Sequence, residues 1–149
     1  MERFLSDVRI GVKKLVVGAQ LPRYAHVGEY GDLAADLYAA EGMIIVPGAT
    51  VLVPTGLAME FPSTHGALVE DRSGLAVKGI TTLAGVIDPG YRGEIRVVVA
   101  NLSALAIEVK PGDRIAQLRI VRRIEAAFVE VAELGEAARG AGGFGSTGV

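Results

Sequence analysis

The chain has 149 residues, half of them apolar, 21% charged and 5% aromatic, with a formal net charge of -2 and neither cysteine nor tryptophan. That length suits one domain, and that apolar share suits a packed aliphatic core. The composition excludes disulfides, thiolate chemistry and zinc–thiolate sites; the absence of a Lys/Arg run argues against general nucleic-acid binding, although a few arginines can still hold a small anion.

The N-terminal sequence MERFLSDVRIGVKKLVVG lacks a continuous apolar stretch behind a basic start and does not read as a signal peptide. No run of about 18 apolar residues predicts a membrane span. A cytoplasmic protein without membrane contact is expected. The two histidines, His26 and His65, are too scattered for a His-rich metal site and are assigned to packing. Residues 33–41, LAADLYAAE, have helix-forming composition and are stopped by Gly42; a strand of small residues is the alternative.

β-Branched segments follow at 50–53, 95–99, 107–109 and 115–121, with turn dipeptides at Pro47-Gly48, Pro89-Gly90 and Pro111-Gly112. Ile95, Val97 and Val99 share one face; so do Ala116, Leu118 and Ile120, with Gln117 pointing the other way. Short strands at near-regular spacing predict an all-β sandwich or barrel. Residues 72–78 predict one or two helical turns, capped by Ser73 or Asp71 and ended by Gly79. Asn101-Leu102-Ser103 matches a glycosylation sequon, read as chance in the absence of a secretory signal.

The glycine-rich tail GEAARGAGGFGSTGV supports no packed element. A plain disordered terminus is one reading. The tail also offers a cation (Arg139), a stacking ring (Phe144) and two hydroxyls (Ser146, Thr147) among flexible amides, which suits a flap that orders over a nucleotide. The chain therefore divides into a barrel at 1–134 and a glycine-rich lid at 135–149. GAGGFG at 140–145 matches the dinucleotide fingerprint GxGxxG, but it lacks the preceding strand, the following helix and the later acid that such a site needs. No Walker loop, HExxH or GxSxG is present.

Any chemistry must then come from carboxylates, arginines, hydroxyls and backbone. Cleaving a phosphate ester with water needs a base, cations for the phosphate oxygens and donors that fix the phosphate chain. Asp88 lies between an apolar run and a Pro-Gly turn, where a carboxylate can hold a water or simply cap the turn. Tyr91 beside it is, taken alone, a packing residue. Arg72 and Ser73 offer a guanidinium and a hydroxyl at a helix start, suited to phosphate or to a capped surface helix. Asp36 is an acid among apolar neighbours, either functional or paired with an arginine. Gln117 could bond a phosphate oxygen or face solvent, and Asp113 and Arg114 shape the turn before it.

In order, LAADLYA, DRSGLAVKGI, AGVIDPGYRGEI, GDRIAQL and RGAGGFGSTG resemble the five motifs of the trimeric dUTPases, the third and fifth most specifically. The resemblance implies an all-β, jelly-roll-like distorted β-barrel with one short helix, a homotrimer with shared active sites, and hydrolysis of dUTP to dUMP and pyrophosphate with Mg2+ on the triphosphate. It implies that Asp88 activates the water attacking the α-phosphorus, that Tyr91 packs on the deoxyribose and would collide with a ribose 2'-hydroxyl, and that the backbone around Val86 and Ile87 pairs with the uracil edge. Arg72, Ser73, Gly74 and Gln117 would hold phosphates, and Arg96 would be a weaker substrate contact. Asp36 would stand near the metal's water shell without ligating it. Arg139, Gly145, Ser146 and Thr147 would close on the phosphates, with Phe144 stacked over uracil.

The sequence departs from the family pattern in four places. Asp71 stands where proline is frequent, which bears on the loop more than on the chemistry. Thr82 stands where many members have a base-contacting asparagine, and it keeps a hydroxyl. Gly90 replaces a frequent acid, and Ala34 a frequent glycine. Two other readings share this fold: a dCTP deaminase-like enzyme and a non-catalytic, dUTP-sensing regulatory trimer.

Overall fold

The computed structural model describes residues 8–148. The first part of the N-terminal sequence weighed above, residues 1–7, lies outside the described residues. Ten strands and one short helix follow one another as β1 (Gly11–Lys14), β2 (Ala35–Tyr38), β3 (Met43–Ile45), β4 (Thr50–Glu60), β5 (His65–Glu70), α1 (Ser73–Ala76), β6 (Ile80–Leu83), β7 (Val86–Ile87), β8 (Glu94–Asn101), β9 (Ile107–Val109) and β10 (Arg114–Arg122). They form two four-stranded sheets, ordered β1-β4-β8-β6 and β2-β10-β5-β7, and a two-stranded sheet, β3-β9. All pairings between these strands are antiparallel. The result is an all-β, jelly-roll-like distorted barrel with one short helix. No helix among the described residues is long and apolar enough to cross a membrane.

Alternation builds the core. Ile95, Val97 and Val99 of β8 are buried while Arg96 between them is exposed, and β10 buries Ala116 and Leu118 around a half-buried Gln117. One cluster joins all three sheets through Leu37, Ile45, Val53, Leu57, Val97 and Leu118. Each fully buried aliphatic side chain contributes on the order of 1.5–3 kcal/mol, so an aliphatic core suffices without tryptophan.

The helical reading of residues 33–41 is overturned. Ala35, Leu37 and Ala39 are buried and alternate with half-buried Asp36 and Tyr38, the period of a strand, and β2 pairs with β10. A nine-residue segment has little intrinsic helicity, so the pairing decides its state. β4 runs well past residue 53. Its register against β8 shifts between Pro54 and Ala58, and the buried Thr55 hydroxyl donates to the Ile95 carbonyl at 2.6 Å. That bend lets the far half of β4 pair with β1.

The sequon asparagine proves structural. Asn101 is fully buried; its amide donates to the carbonyls of Ile45 and Leu105 and its oxygen accepts from Ser103. It fastens the end of β8 to β3. The histidines lie in local contacts: His26 Nδ1 is 3.1 Å from Asp32 Oδ1, and His65 Nδ1 is 2.8 Å from the Thr64 hydroxyl.

Candidate active site

Residues 85–96 form one cluster. β7 is only two residues long and lies against β5 through Ala67↔Ile87 and Leu68↔Val86. Two glycines make that contact possible. A Cβ on Gly66 would sit 2.5 Å from the Ile87 carbonyl oxygen, and one on Gly85 would sit 2.5 Å from that of Val69. Gly85 also has φ +115°, a region that favours glycine. After Ile87 the chain turns, with Tyr91 N–H donating to the Asp88 carbonyl at 3.1 Å. Asp88 is exposed at this turn. The Tyr91 hydroxyl donates to the Glu94 carbonyl at 2.8 Å, and its ring lies so close to Gly93 that a Cβ there would meet Oη at 2.5 Å. The ring is thus held as a wall. Glu94 accepts from Gly56 N–H and pairs with Arg96 at 3.2 Å. These parts enclose a cavity of about 450 Å³, lined by Gly85, Val86, Ile87, Asp88, Tyr91 and Arg96 among others.

A second cluster lies at the end of β2, β5 and β10. Arg72 Nε is 3.3 Å from Asp36 Oδ1, its Nη1 donates to the Arg114 carbonyl, and Arg114 Nη1 lies 3.8 Å from Asp36 Oδ2. Gln117 Nε2 donates to the Asp71 carbonyl at 2.7 Å. Arg119 is hydrogen-bonded to Glu70, which raises the arginine pKa. A cavity of about 620 Å³ is lined by Asp36, Glu70, Arg72, Ser73, Gln117 and Arg119 with their neighbours. A Cβ on Gly74 would meet nothing within 4 Å, so the approach to the backbone there is open.

Neither expected cap holds α1. Its N-cap is Arg72, without a side-chain cap bond. Asp71 turns instead to β6: its Oδ2 accepts from the Thr81 hydroxyl at 2.6 Å and its Oδ1 from Thr82 N–H at 2.6 Å and the Thr82 hydroxyl at 2.7 Å. Burial pushes the Asp71 carboxyl up, but the Thr81 and Thr82 hydrogen bonds outweigh it and hold the group below the usual carboxylate value. A depressed pKa makes this contribution to stability present at neutral pH and lost as pH falls through the folded-state value.

The clusters share no lining residue. Arg139, Phe144, Gly145, Ser146 and Thr147 line neither cavity; the tail forms local turns, with Arg139 Nε donating to the Gly142 carbonyl and Phe144 fully exposed. No group of three His, Cys, Asp or Glu among the described residues could hold a metal. Asp36 is the carboxylate that pairs with both Arg72 and Arg114.

The sequence reading missed Glu94 and Glu70 as partners of Arg96 and Arg119, and the carboxylate of Asp71 as a link to Thr81 and Thr82. No local pattern signalled the last, since the partners stand ten and eleven residues away.

Comparison with known proteins identifies the fold and the family. The dUTPase family model matches residues 24–148. The chain is 48% identical over 147 residues to a deoxyuridine 5'-triphosphate nucleotidohydrolase of Thermobifida fusca, covering 96% of this chain and 80% of that protein. It is 46% identical to one from Solibacter usitatus, covering 97% and 99%. Among solved structures, the Staphylococcus bacteriophage 80alpha dUTPase with dUpNHpp superposes with a TM-score of 0.83 at 25% identity, over 95% of this chain and 99% of that one. The dUTPase of phage phi11 of S. aureus, which coordinates a structural Mg(II) ion, matches in fold with a TM-score of 0.76 at 22% identity, over 86% and 99%. The chain belongs to the dUTPase family.

Proposed function

We propose that this chain hydrolyses dUTP to dUMP and pyrophosphate, with Asp88 as the general base. The observation that carries the reading is the exposed Asp88 beside the wall formed by Tyr91, on one cavity with the β7 backbone. Asp88 accepts a proton from a water whose oxygen attacks the α-phosphorus. The bond from that phosphorus to the bridging oxygen breaks, and pyrophosphate leaves. The β7 main chain at Val86 and Ile87 pairs with the uracil edge, Tyr91 excludes a 2'-hydroxyl, and Arg96 adds a contact. Thr82 gives both its N–H and its hydroxyl to Asp71 and is not among the residues lining the base cavity, so its part in substrate binding is to hold the hairpin that carries Val86 and Ile87. A backbone pairing of this kind rejects cytosine because mismatched polar groups would be left unpaired.

Arg72, Ser73, Gly74 and Gln117 hold the phosphates, guanidinium forks matching phosphate oxygens. Bound Mg2+ would supply charge neutralisation on the triphosphate, and Asp36 would hold it through water rather than by direct ligation. Residues 135–149 act as a lid in which Arg139, Gly145, Ser146 and Thr147 meet the phosphates and Phe144 covers the base, while residues 1–134 form the barrel unit. A cytoplasmic setting belongs to the same reading.

The site is shared in a homotrimer. Two half-sites with no common lining residue, and a tail that lines neither, support assembly from different copies. Exposed Leu52 and Leu83 flank Val98 in register across one sheet, and all three line the base cavity, giving it an apolar floor. Light scattering is expected to give three times the chain mass; an active monomer would refute sharing. Pyrophosphate release measured across dUTP, dTTP, dCTP and UTP is expected for dUTP alone. Ammonia release from dCTP would favour the deaminase reading, and binding of dUTP without turnover the regulatory one.

A further inference from the structure

We propose that Asp71 is a positioning residue that locks the base-binding hairpin, β6 through β7, against the phosphate-binding turn that begins at Arg72. The inference rests on the functional reading above and assigns Asp71 no contact with substrate.

β6 lies at the edge of its sheet, next to β8 alone. An edge strand leaves backbone donors without a strand partner. Asp71 supplies the acceptor for one of them, Thr82 N–H, and takes the hydroxyls of Thr81 and Thr82 as well. Asp71 follows β5, which belongs to the other four-stranded sheet. Its carboxylate therefore bridges the two sheets where the chain crosses between them. A second tie runs parallel two residues earlier, where Val69 N–H donates to the Gly85 carbonyl at 2.8 Å. Between these ties lie Leu83 and Ala84, which with Gly85 form part of the wall of the base cavity. Ala84 and Gly85 both have positive φ, so the turn needs outside support to keep one shape.

The main chain of Asp71 faces the other half-site. Its carbonyl accepts from Gln117 Nε2, and the next residue is Arg72. The Arg72 guanidinium is committed elsewhere, to Asp36 and the Arg114 carbonyl. Asp71 is thus no ion-pair partner of Arg72, and its removal loosens the hairpin while leaving that arginine's contacts in place. A carboxylate accepting three hydrogen bonds on a half-buried link gives a rigid joint, since charged acceptors bind more strongly than neutral ones.

The test uses the full-length chain with dUTP and dCTP as substrates, and wild type as control. Asp71→Ala is expected to raise KM for dUTP about tenfold, to change kcat less than about threefold, and to lower the preference for dUTP over dCTP about tenfold. Asp71→Asn keeps an acceptor for Thr82 and is expected to restore most of both. An unchanged KM and selectivity in Asp71→Ala, or a fall in kcat alone, would overturn the positioning role. If Asp71→Ala fails to fold, Thr81→Val, which deletes one of the three donors, is read in its place: a KM rise of twofold or more supports the role, and wild-type KM overturns it. A wild type that does not turn over dUTP would instead overturn the functional reading itself.

Discussion

Asp88→Asn is expected to slow pyrophosphate release from saturating dUTP by roughly 10²- to 10⁴-fold, the usual contribution of a general base. That corresponds to about 3–5 kcal/mol of barrier. Asparagine keeps the size and a hydrogen-bonding oxygen but cannot take the proton. Asp88 is exposed at a turn closed by backbone, Tyr91 N–H to the Asp88 carbonyl, so the substitution leaves the fold and the Tyr91 wall intact. Affinity for the non-hydrolysable dUpNHpp, measured by calorimetry, should stay within a few fold of wild type. Unchanged turnover would remove Asp88 from its role; lost affinity with proportional loss of rate would make it a binding residue.

Ending the chain after Ala138 is expected to have a comparable effect by another route. The deleted segment holds Arg139, Phe144, Ser146 and Thr147. Two charge-assisted hydrogen bonds to phosphate at about 1.5–3 kcal/mol each would account for roughly 3–6 kcal/mol of transition-state stabilisation. The tail's hydrogen bonds are local, among residues 137–148, and Phe144 touches no core. Circular dichroism and assembly mass should therefore match the full chain while kcat/KM collapses. Normal activity in the truncated chain would refute the lid.

Much of the barrel can be read from sequence where burial enforces period two. β9 occupies residues 107–109 as expected, and β8 and β10 extend the expected segments by only one or two residues at each end. β2 misleads because Ala, Leu and Glu favour helices locally while the partner that makes it a strand, β10, lies about 80 residues on. β4 misleads at Pro54, which ends a sequence run but sits at a register shift that a strand tolerates. For the site, contiguous motifs are legible because turn chemistry, glycine placement and the key side chains fall within a dozen residues, as at 84–95. Pairings across the fold are not. That Asp36 meets both Arg72 and Arg114 depends on which strands become neighbours. Asp71 reads locally as a loop variant, and only the register of β6 shows what its carboxylate grips.

The brevity of β7 bears on how such a protein can change over generations. Val86 is 75% exposed, while Gly66 and Gly85 are the residues that admit the strand to its place. Under the proposed pairing, the base is read by main-chain groups that every amino acid except proline carries alike. Single-letter replacements at residue 86 then drift almost freely without altering which base is accepted. A lineage acquiring a different base is expected to change the length between Gly85 and Asp88, one of the two glycines, or the Asp71 tie that holds the hairpin, so the side chain at residue 86 is a poorer guide to the ligand than the shape of the hairpin.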